Sequence, residues 1–201
     1  MAQAEGAAAQ KLDLARKLLA RQRAETAALA SWADRSLTEG AGIVFGPRSG
    51  ELRLGQDGGP GVAMAKVRAA EVAVEARFRN PPGRGSWSYG LGIRDEQGRD
   101  VRLYVSSAAV WALDFGAGDG PPRPGPSGRA ATLSLAPGAA NTLRLVAHGD
   151  GALLFVNGTY TAHLTLPVPA RAGDVYLGSS FVEGDGDEPV QYEEWRIWAL
   201  R

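Results

Sequence analysis

From residue 42 onward, apolar and polar positions alternate in short runs broken every eight to twelve residues by Gly, Pro, Asp or Asn. Val72, Val74, Ala76 and Phe78 fall on one side of an extended segment, and Glu71, Glu75, Arg77 and Arg79 on the other. Val101, Leu103 and Val105 oppose Arg102, Tyr104 and Ser106 in the same way, and Leu143, Leu145 and Ala147 oppose Arg144, Val146 and His148. One buried and one wetted face is the signature of antiparallel strands. The runs predict strands near 43–45, 51–54, 62–66, 71–79, 87–94, 99–106, 110–115, 132–135, 142–148, 152–157, 160–166, 174–182 and 191–200. About a dozen short strands without helices between them indicate a β-sandwich or barrel.

Residues 1–36 follow another pattern. They hold no Pro, one Gly (Gly6) and one aromatic residue (Trp32), and eleven of the first thirty residues are Ala. Ala-rich sequence with Leu, Lys, Arg and Gln predicts a helix over about residues 7–33. Leu12, Ala15, Leu19, Ala20, Thr26 and Leu29 give it a thin apolar stripe, interrupted by Gln22 and Arg23. A stripe this narrow suits a solvated linker whose removal leaves the melting temperature of the sandwich unchanged. It also suits docking on a partner helix, on the following sandwich, or on a second copy of the chain through residues 7–33. Lys11, Arg16, Lys17 and Arg21 interrupt any secretory core.

Turn chemistry fixes two hairpins. Gly149-Asp150-Gly151 separates two strand-like runs, and Asn157-Gly158 separates two more. Asn-Gly adopts positive φ at both central positions of a type I′ turn at little cost. Asn157-Gly158-Thr159 is also a glycosylation sequon, which the tight turn accounts for. Residues 116–128 hold five Gly and four Pro, and they predict a long, mobile surface loop.

Composition narrows the function. The 201 residues carry 22 Lys+Arg and 22 Asp+Glu, a net charge of zero. No basic face of the kind that releases counterions from nucleic acid is expected. No apolar run approaches the roughly 20 residues that span a bilayer. There is no Cys, so thiolate metal sites, disulfides and Cys nucleophiles are excluded, and two His cannot build a three-His metal site.

The segments Asn141-Thr142-Leu143-Arg144-Leu145-Val146 and Leu154-Phe155-Val156-Asn157-Gly158 carry a resemblance. They look like the "N-x-L-R-L … V-N-G" hairpin of concanavalin A-like or laminin-G-like jelly rolls. Ala76-Arg77-Phe78-Arg79-Asn80-Pro81, Trp87-Ser88-Tyr89-Gly90, Arg102-Leu103-Tyr104-Val105, Gly173-Asp174-Val175-Tyr176-Leu177-Gly178 and Tyr192-Glu193-Glu194-Trp195 agree with it. The resemblance covers roughly residues 43–200. It implies an all-β, antiparallel jelly-roll β-sandwich of bacterial multidomain proteins, here with an N-terminal α-helical extension, and an extracytoplasmic or cell-surface setting. Such domains have no single activity, and the fold does not name one.

Four constellations bear on chemistry. Glu183, Asp185, Asp187, Glu188, Glu193 and Glu194 are six acids without a base within twelve residues. They contain E-x-D-x-x-E, the string that jelly-roll β-glucanases carry, but Gly184 and Gly186 favour a loop that cannot preorganise a carboxylate pair. Glu183, Asp185 and Asp187 are weak candidates for Ca²⁺, with Glu194 in a calcium-loop register, against the plainer reading of a solvated acidic loop. Among the tryptophans, Trp87 shares a face with Tyr89, Leu91 and Ile93 and reads as core. Trp195 and Trp198, three apart in a strand, point to opposite faces, and the helix is one candidate cover for Trp198.

The third set is Arg77, Arg79, Arg94, Arg102, Tyr104 and Arg144. These lie on wetted strand faces, with Glu71, Glu75 and Asp100 as candidate neutralising partners. Arg94, Arg102, Tyr104 and Arg144 are the candidate ligand-binding residues, with Arg94 and Arg144 joining only if their strands share a sheet. Guanidinium donors beside an aromatic face suit an anionic or polyhydroxylated ligand. Lastly, counting back from the Asn157-Gly158 turn sets Ala152, not His148, opposite His163, so no His pair forms. G-x-S-x-G, P-loop and G-x-G-x-x-G strings are absent, and no catalytic residue is assigned.

The sequence therefore reads as a helical extension or linker over 1–36 and a jelly-roll sandwich over 37–201. Its expected role is a non-catalytic recognition domain, binding glycan or an acidic ligand on one sheet face. A structural or assembly module contacting protein partners or itself is the alternative, and a glycoside hydrolase the third reading. No cofactor beyond the Ca²⁺ candidate is implied.

Overall fold

The computed structural model describes residues 2–35, 37, 41–54, 59–67, 71–83, 85–117, 122–166, 173–183 and 189–200. One helix, α1 (Ala2–Arg35), precedes twelve strands. These are β1 (Gly42–Leu52), β2 (Gly61–Ala65), β3 (Val72–Arg79), β4 (Ser86–Asp95), β5 (Arg99–Ser106), β6 (Val110–Ala117), β7 (Arg123–Arg129), β8 (Ala140–His148), β9 (Gly151–Val156), β10 (Thr159–Thr165), β11 (Gly173–Glu183) and β12 (Val190–Ala199). They form two six-stranded antiparallel sheets, ordered β1-β12-β3-β8-β9-β10 and β2-β11-β4-β5-β6-β7.

The alternating apolar sets meet between the sheets. Val74, Phe78, Leu143, Leu145, Leu154 and Ile197 from the first sheet pack on Tyr89, Leu91, Leu103, Leu113 and Leu177 from the second. Trp87, Trp111 and Trp195 are buried there too. Both hairpin turns occur as expected, with positive φ at Gly149, Asn157 and Gly158.

A polar cluster pins one end of this core. The fully buried Asn141 side chain accepts hydrogen bonds at Oδ1 from the Ser134 backbone N–H (2.7 Å) and Asn157 Nδ2 (2.9 Å). Its Nδ2 lies within reach of the Tyr89 hydroxyl and the Ser134 carbonyl, each at 2.9 Å. The Tyr89 hydroxyl donates to Asn80 Oδ1 (2.8 Å), and Asn80 Nδ2 donates to the Ser134 and Ala136 carbonyls. Burial pushes the Tyr89 phenol well above its usual range, against the opposing effect of the Asn141 hydrogen bond.

Two elements differ from expectation. Residues 132–135 form no strand; their backbone instead turns through the Asn80–Asn141 cluster, with Leu133 buried. Residues 123–129, expected within a mobile loop, form edge strand β7 on β6. Pro is compatible with an edge, where only one side of the strand needs ladder donors. Gly125 and Gly128 leave room for the rings of Phe115 and Trp111, which a Cβ at either position would crowd.

The larger correction concerns α1. Its last turns do not run free in solvent. Ala33 is fully buried and packs, with Leu29, Ala30, Trp32 and Leu37, on Ala73, Val146, Leu153 and Phe155. The strand register explains the landing site. Trp198, Ala73, Val146 and Leu153 stand side by side across β12, β3, β8 and β9, an apolar row on the outward face. Asp34 bonds to Arg144 Nη1 at 3.1 Å, and the Trp32 ring lies 5.5 Å from that of His148. Residues 10–21 are exposed. A 34-residue helix is about 51 Å long, and α1 meets the sheet through its last turns. Leu12, Leu14, Leu18 and Leu19 are accordingly exposed, and Asp13–Lys17 and Arg21–Glu25 pair one turn apart.

Removing residues 1–36 uncovers Val146, Leu153 and Phe155. At about 1.5–3 kcal/mol per large apolar side chain exposed, the sandwich should lose at least about 2 kcal/mol. For a domain of this size that corresponds to a melting temperature lower by about 4–8 °C. An unchanged calorimetric melting curve for the truncated chain would show that the helix end contributes nothing.

Candidate functional site

The outward face of the sheet β2-β11-β4-β5-β6-β7 is not covered by α1. Strand register sorts its outward residues into rows. One row runs Val62, Gly178, Gly90, Tyr104, Ala112. The next runs Met64, Tyr176, Gly92, Arg102, Asp114, and the third contains Asp174, Arg94, Asp100 and Gly116. Two adjacent glycines in the first row leave a trough between Val62 and Tyr104. The depression has a volume of about 410 Å³, with Arg94, Arg102, Asp114 and Tyr176 along it.

Each glycine acts differently. A Cβ on Gly90 would run into the backbone of Leu103 and Tyr104, so no larger residue fits there. Gly92 lies beneath the Tyr176 ring. Gly178 is open: the nearest atom to a Cβ built on it is Tyr176 Cε2, at 3.8 Å.

Asp100 organises the polar end. The residue is only 4% exposed, although it projects from the outward face. The Tyr176 hydroxyl donates to Oδ1 at 2.5 Å, Arg102 Nε to Oδ2 at 2.7 Å, and Arg94 Nη2 to Oδ2 at 3.4 Å. The Arg94 guanidinium also sits 5.5 Å from the Tyr176 ring centroid, a cation–π arrangement. Burial and the Asp100 hydrogen bond raise the Tyr176 phenol far above its usual range. Burial is the largest influence on Arg102 and works against its charge, but the hydrogen bond it donates to Asp100, together with the charges and hydrogen bonding of Tyr176 and Asp100 around it, more than offsets burial and raises its pKa. Burial raises Asp114, with the Arg102 charge opposing, and burial followed by the Asp114 charge raises Tyr104.

Of the four residues singled out in the sequence, Arg94, Arg102 and Tyr104 come together along this trough. Arg144 does not join them. It sits on β8 in the other sheet, where its Nε donates to Glu75 Oε2 (2.6 Å) and its Nη1 to Asp34. Arg77 and Arg79 also belong to that sheet, and Arg79 Nε donates to Glu193 at 2.8 Å. Register, which alternation alone does not encode, makes this division. Tyr176, Asp114 and the glycine floor escaped sequence reading because β11 and β6 are brought beside β4 and β5 only by the sheet order.

The remaining candidates stand elsewhere. Residues 184–188 and the side chain of Glu183 lie outside the described residues, and with them both the E-x-D-x-x-E string and the Ca²⁺ candidates Glu183, Asp185 and Asp187. Among the described residues no group of three His, Asp or Glu side chains is disposed to hold a metal ion. His163 faces Leu153, one residue from the expected Ala152, because the β9–β10 register shifts between Tyr160 and Ala162. His148 pairs with Glu71 at 2.9 Å. Trp195 is core and Trp198 lies in the cluster under α1. Among the described residues, no helix is long and apolar enough to cross a membrane.

The two sheets and their order define a concanavalin A-like jelly roll, and solved structures agree. The carbohydrate-binding module CBM66 from Bacillus subtilis matches over 78% of this chain and 93% of its own, with a TM-score of 0.54 at 12% identity. A tetrameric galectin from the ball sponge Cinachyrella sp. matches over 70% and 99%, with a TM-score of 0.51 at 17% identity. Porphyranase B from Zobellia galactanivorans matches over 79% and 78%, with a TM-score of 0.52 at 11% identity. No protein-family model and no curated protein sequence matches the chain. At these identities the likeness is one of fold.

Replacing Asp100 with Ala leaves the buried Tyr176 hydroxyl without its acceptor and should cost about 1–3 kcal/mol in urea denaturation. Asp100→Asn keeps an oxygen for that hydroxyl and should cost less. Equal losses for the two variants would mean that the carboxylate charge, not the hydroxyl's acceptor, holds this end of the sheet.

Proposed function

We propose that this chain is a glycan-recognition domain that holds its ligand in the trough between Val62 and Tyr104. The observation that carries this reading is the glycine floor, Gly90 beside Gly178, set below an aromatic side chain and flanked by convergent polar groups. A sugar ring needs an apolar surface for its C–H face and donors and acceptors for its hydroxyls. Tyr104 and Val62 supply the first, and Arg94, Arg102 and Asp114 the second. The volume lies within the roughly 300–1,000 Å³ usual for small-ligand sites. The fold likeness to a carbohydrate-binding module and a galectin is consistent with this reading.

Tyr104→Ala should abolish binding on a glycan array while leaving the domain nearly as stable as before, since Tyr104 is only partly buried. Leu103→Ala, one residue away but fully in the core, should cost about 2–5 kcal/mol. Gly178→Val should fill the trough without disturbing the backbone and so remove binding with the fold intact. Full binding by Gly178→Val would place the ligand elsewhere.

A further inference from the structure

Two arginines beside a tyrosine invite the expectation of an acidic ligand. The hydrogen bonding argues otherwise. Asp100 already occupies the place an incoming carboxylate would take, holding Arg102 Nε at 2.7 Å and Arg94 Nη2 at 3.4 Å. It is itself buried and locked on its other oxygen by the Tyr176 hydroxyl. A ligand anion would compete with a carboxylate that is covalently in place and needs no association entropy. Asp114 stands opposite Arg102 in the register and lines the trough beside Tyr104, adding a second negative group where the ligand would lie. Arg94, Arg102, Asp100 and Asp114 sum to no net charge.

From this balance we infer that the trough takes a neutral, uncharged hexopyranose or pentopyranose unit and discriminates against uronic acids and sulfated sugars. The inference rests on the glycan-binding reading above and sharpens it to a ligand class. Asp114 is the specificity-determining residue: an ionised carboxylate accepts hydrogen bonds from sugar hydroxyls and repels a ligand carboxylate or sulfate. Each guanidinium carries five N–H donors, of which Asp100 takes one from each arginine, so donors remain for hydroxyl oxygens. Burial holds the Asp114 pKa above its ordinary value, as expected of a carboxylate set into the sheet face rather than standing clear of it. Like-charge juxtaposition at short range costs enough to act as selection against the wrong ligand.

The test is titration calorimetry on the full chain with two panels: neutral gluco-, manno-, galacto- and xylo-oligosaccharides, and oligogalacturonates, alginate oligomers and sulfated galactans. A member of the neutral panel should bind with little dependence on salt, while the acidic panel binds at least about tenfold more weakly. Asp114→Asn should weaken the neutral ligand and raise affinity for the acidic panel, narrowing the gap. Circular dichroism confirms that the variant is folded. Preference for the acidic panel, with salt-sensitive binding lost in Arg102→Gln, would overturn the inference while leaving glycan recognition standing. Equal affinity for both panels would overturn it as well, as would a neutral ligand unaffected by both Asp114→Asn and Gly178→Val. Failure of every sugar in both panels would remove the glycan reading and this inference together.

Discussion

The rest of the sandwich hangs on the side-chain amide of Asn141. Within hydrogen-bonding reach it gathers Asn80 from the end of β3, Tyr89 from the facing sheet, the 130–139 crossing segment through Ser134, and the β9–β10 turn through Asn157. A jelly roll must carry its chain from one sheet to the other across the ends of the core, where backbone groups leave the ladders unpaired. Here the amides of Asn80 and Asn141 act as partners for those groups, and the only aromatic hydroxyl in the cluster, that of Tyr89, closes the loop. A buried polar network is worth having only when its members are satisfied, and this one is. Both residues of the "N-x-L-R-L … V-N-G" pattern that first suggested the fold, Asn141 and Asn157, turn out to be bonded to each other.

The two outer faces of the sandwich have opposite fates. On the β1-to-β10 sheet an apolar row is sealed by the last turns of α1, and Arg144 is spent on Glu75 and Asp34 at its margin. On the other sheet the corresponding surface is open, and its polar groups are held around Asp100 of β5 rather than beneath a packed helix. One face is thereby committed to internal packing and the other is left open. The arginines that look alike in the sequence belong to different halves of this division.

How much of this could be read beforehand follows from range. Period-two alternation was sufficient for β3, β5 and β8, and it placed Arg102 and Tyr104 on one outward face. β7 was hidden because its Pro and Gly content belongs equally to loops. The docking of α1 was hidden for a different reason. The residues it covers, Ala73, Val146, Leu153, Phe155 and Trp198, intrude singly or in pairs on otherwise wetted faces of four strands, and only their register makes a patch. The uninterrupted apolar run 152–156 was the local signal that both faces of β9 are covered. The candidate trough draws on β2, β4, β5, β6 and β11, and no linear pattern announces that β11 lies between β2 and β4.

The prolines of β7 have a consequence beyond their own strand. The sheet that carries the trough ends there, and neither Pro124 nor Pro126 has an N–H to offer a further strand. A neighbouring molecule approaching this edge meets gaps in the donor ladder, so the β7 edge resists strand addition. A domain that keeps an open, partly apolar sheet face benefits from such a stop at its edge. Crowded copies can then stand side by side with that face exposed without fusing into a continuous fibre through this edge.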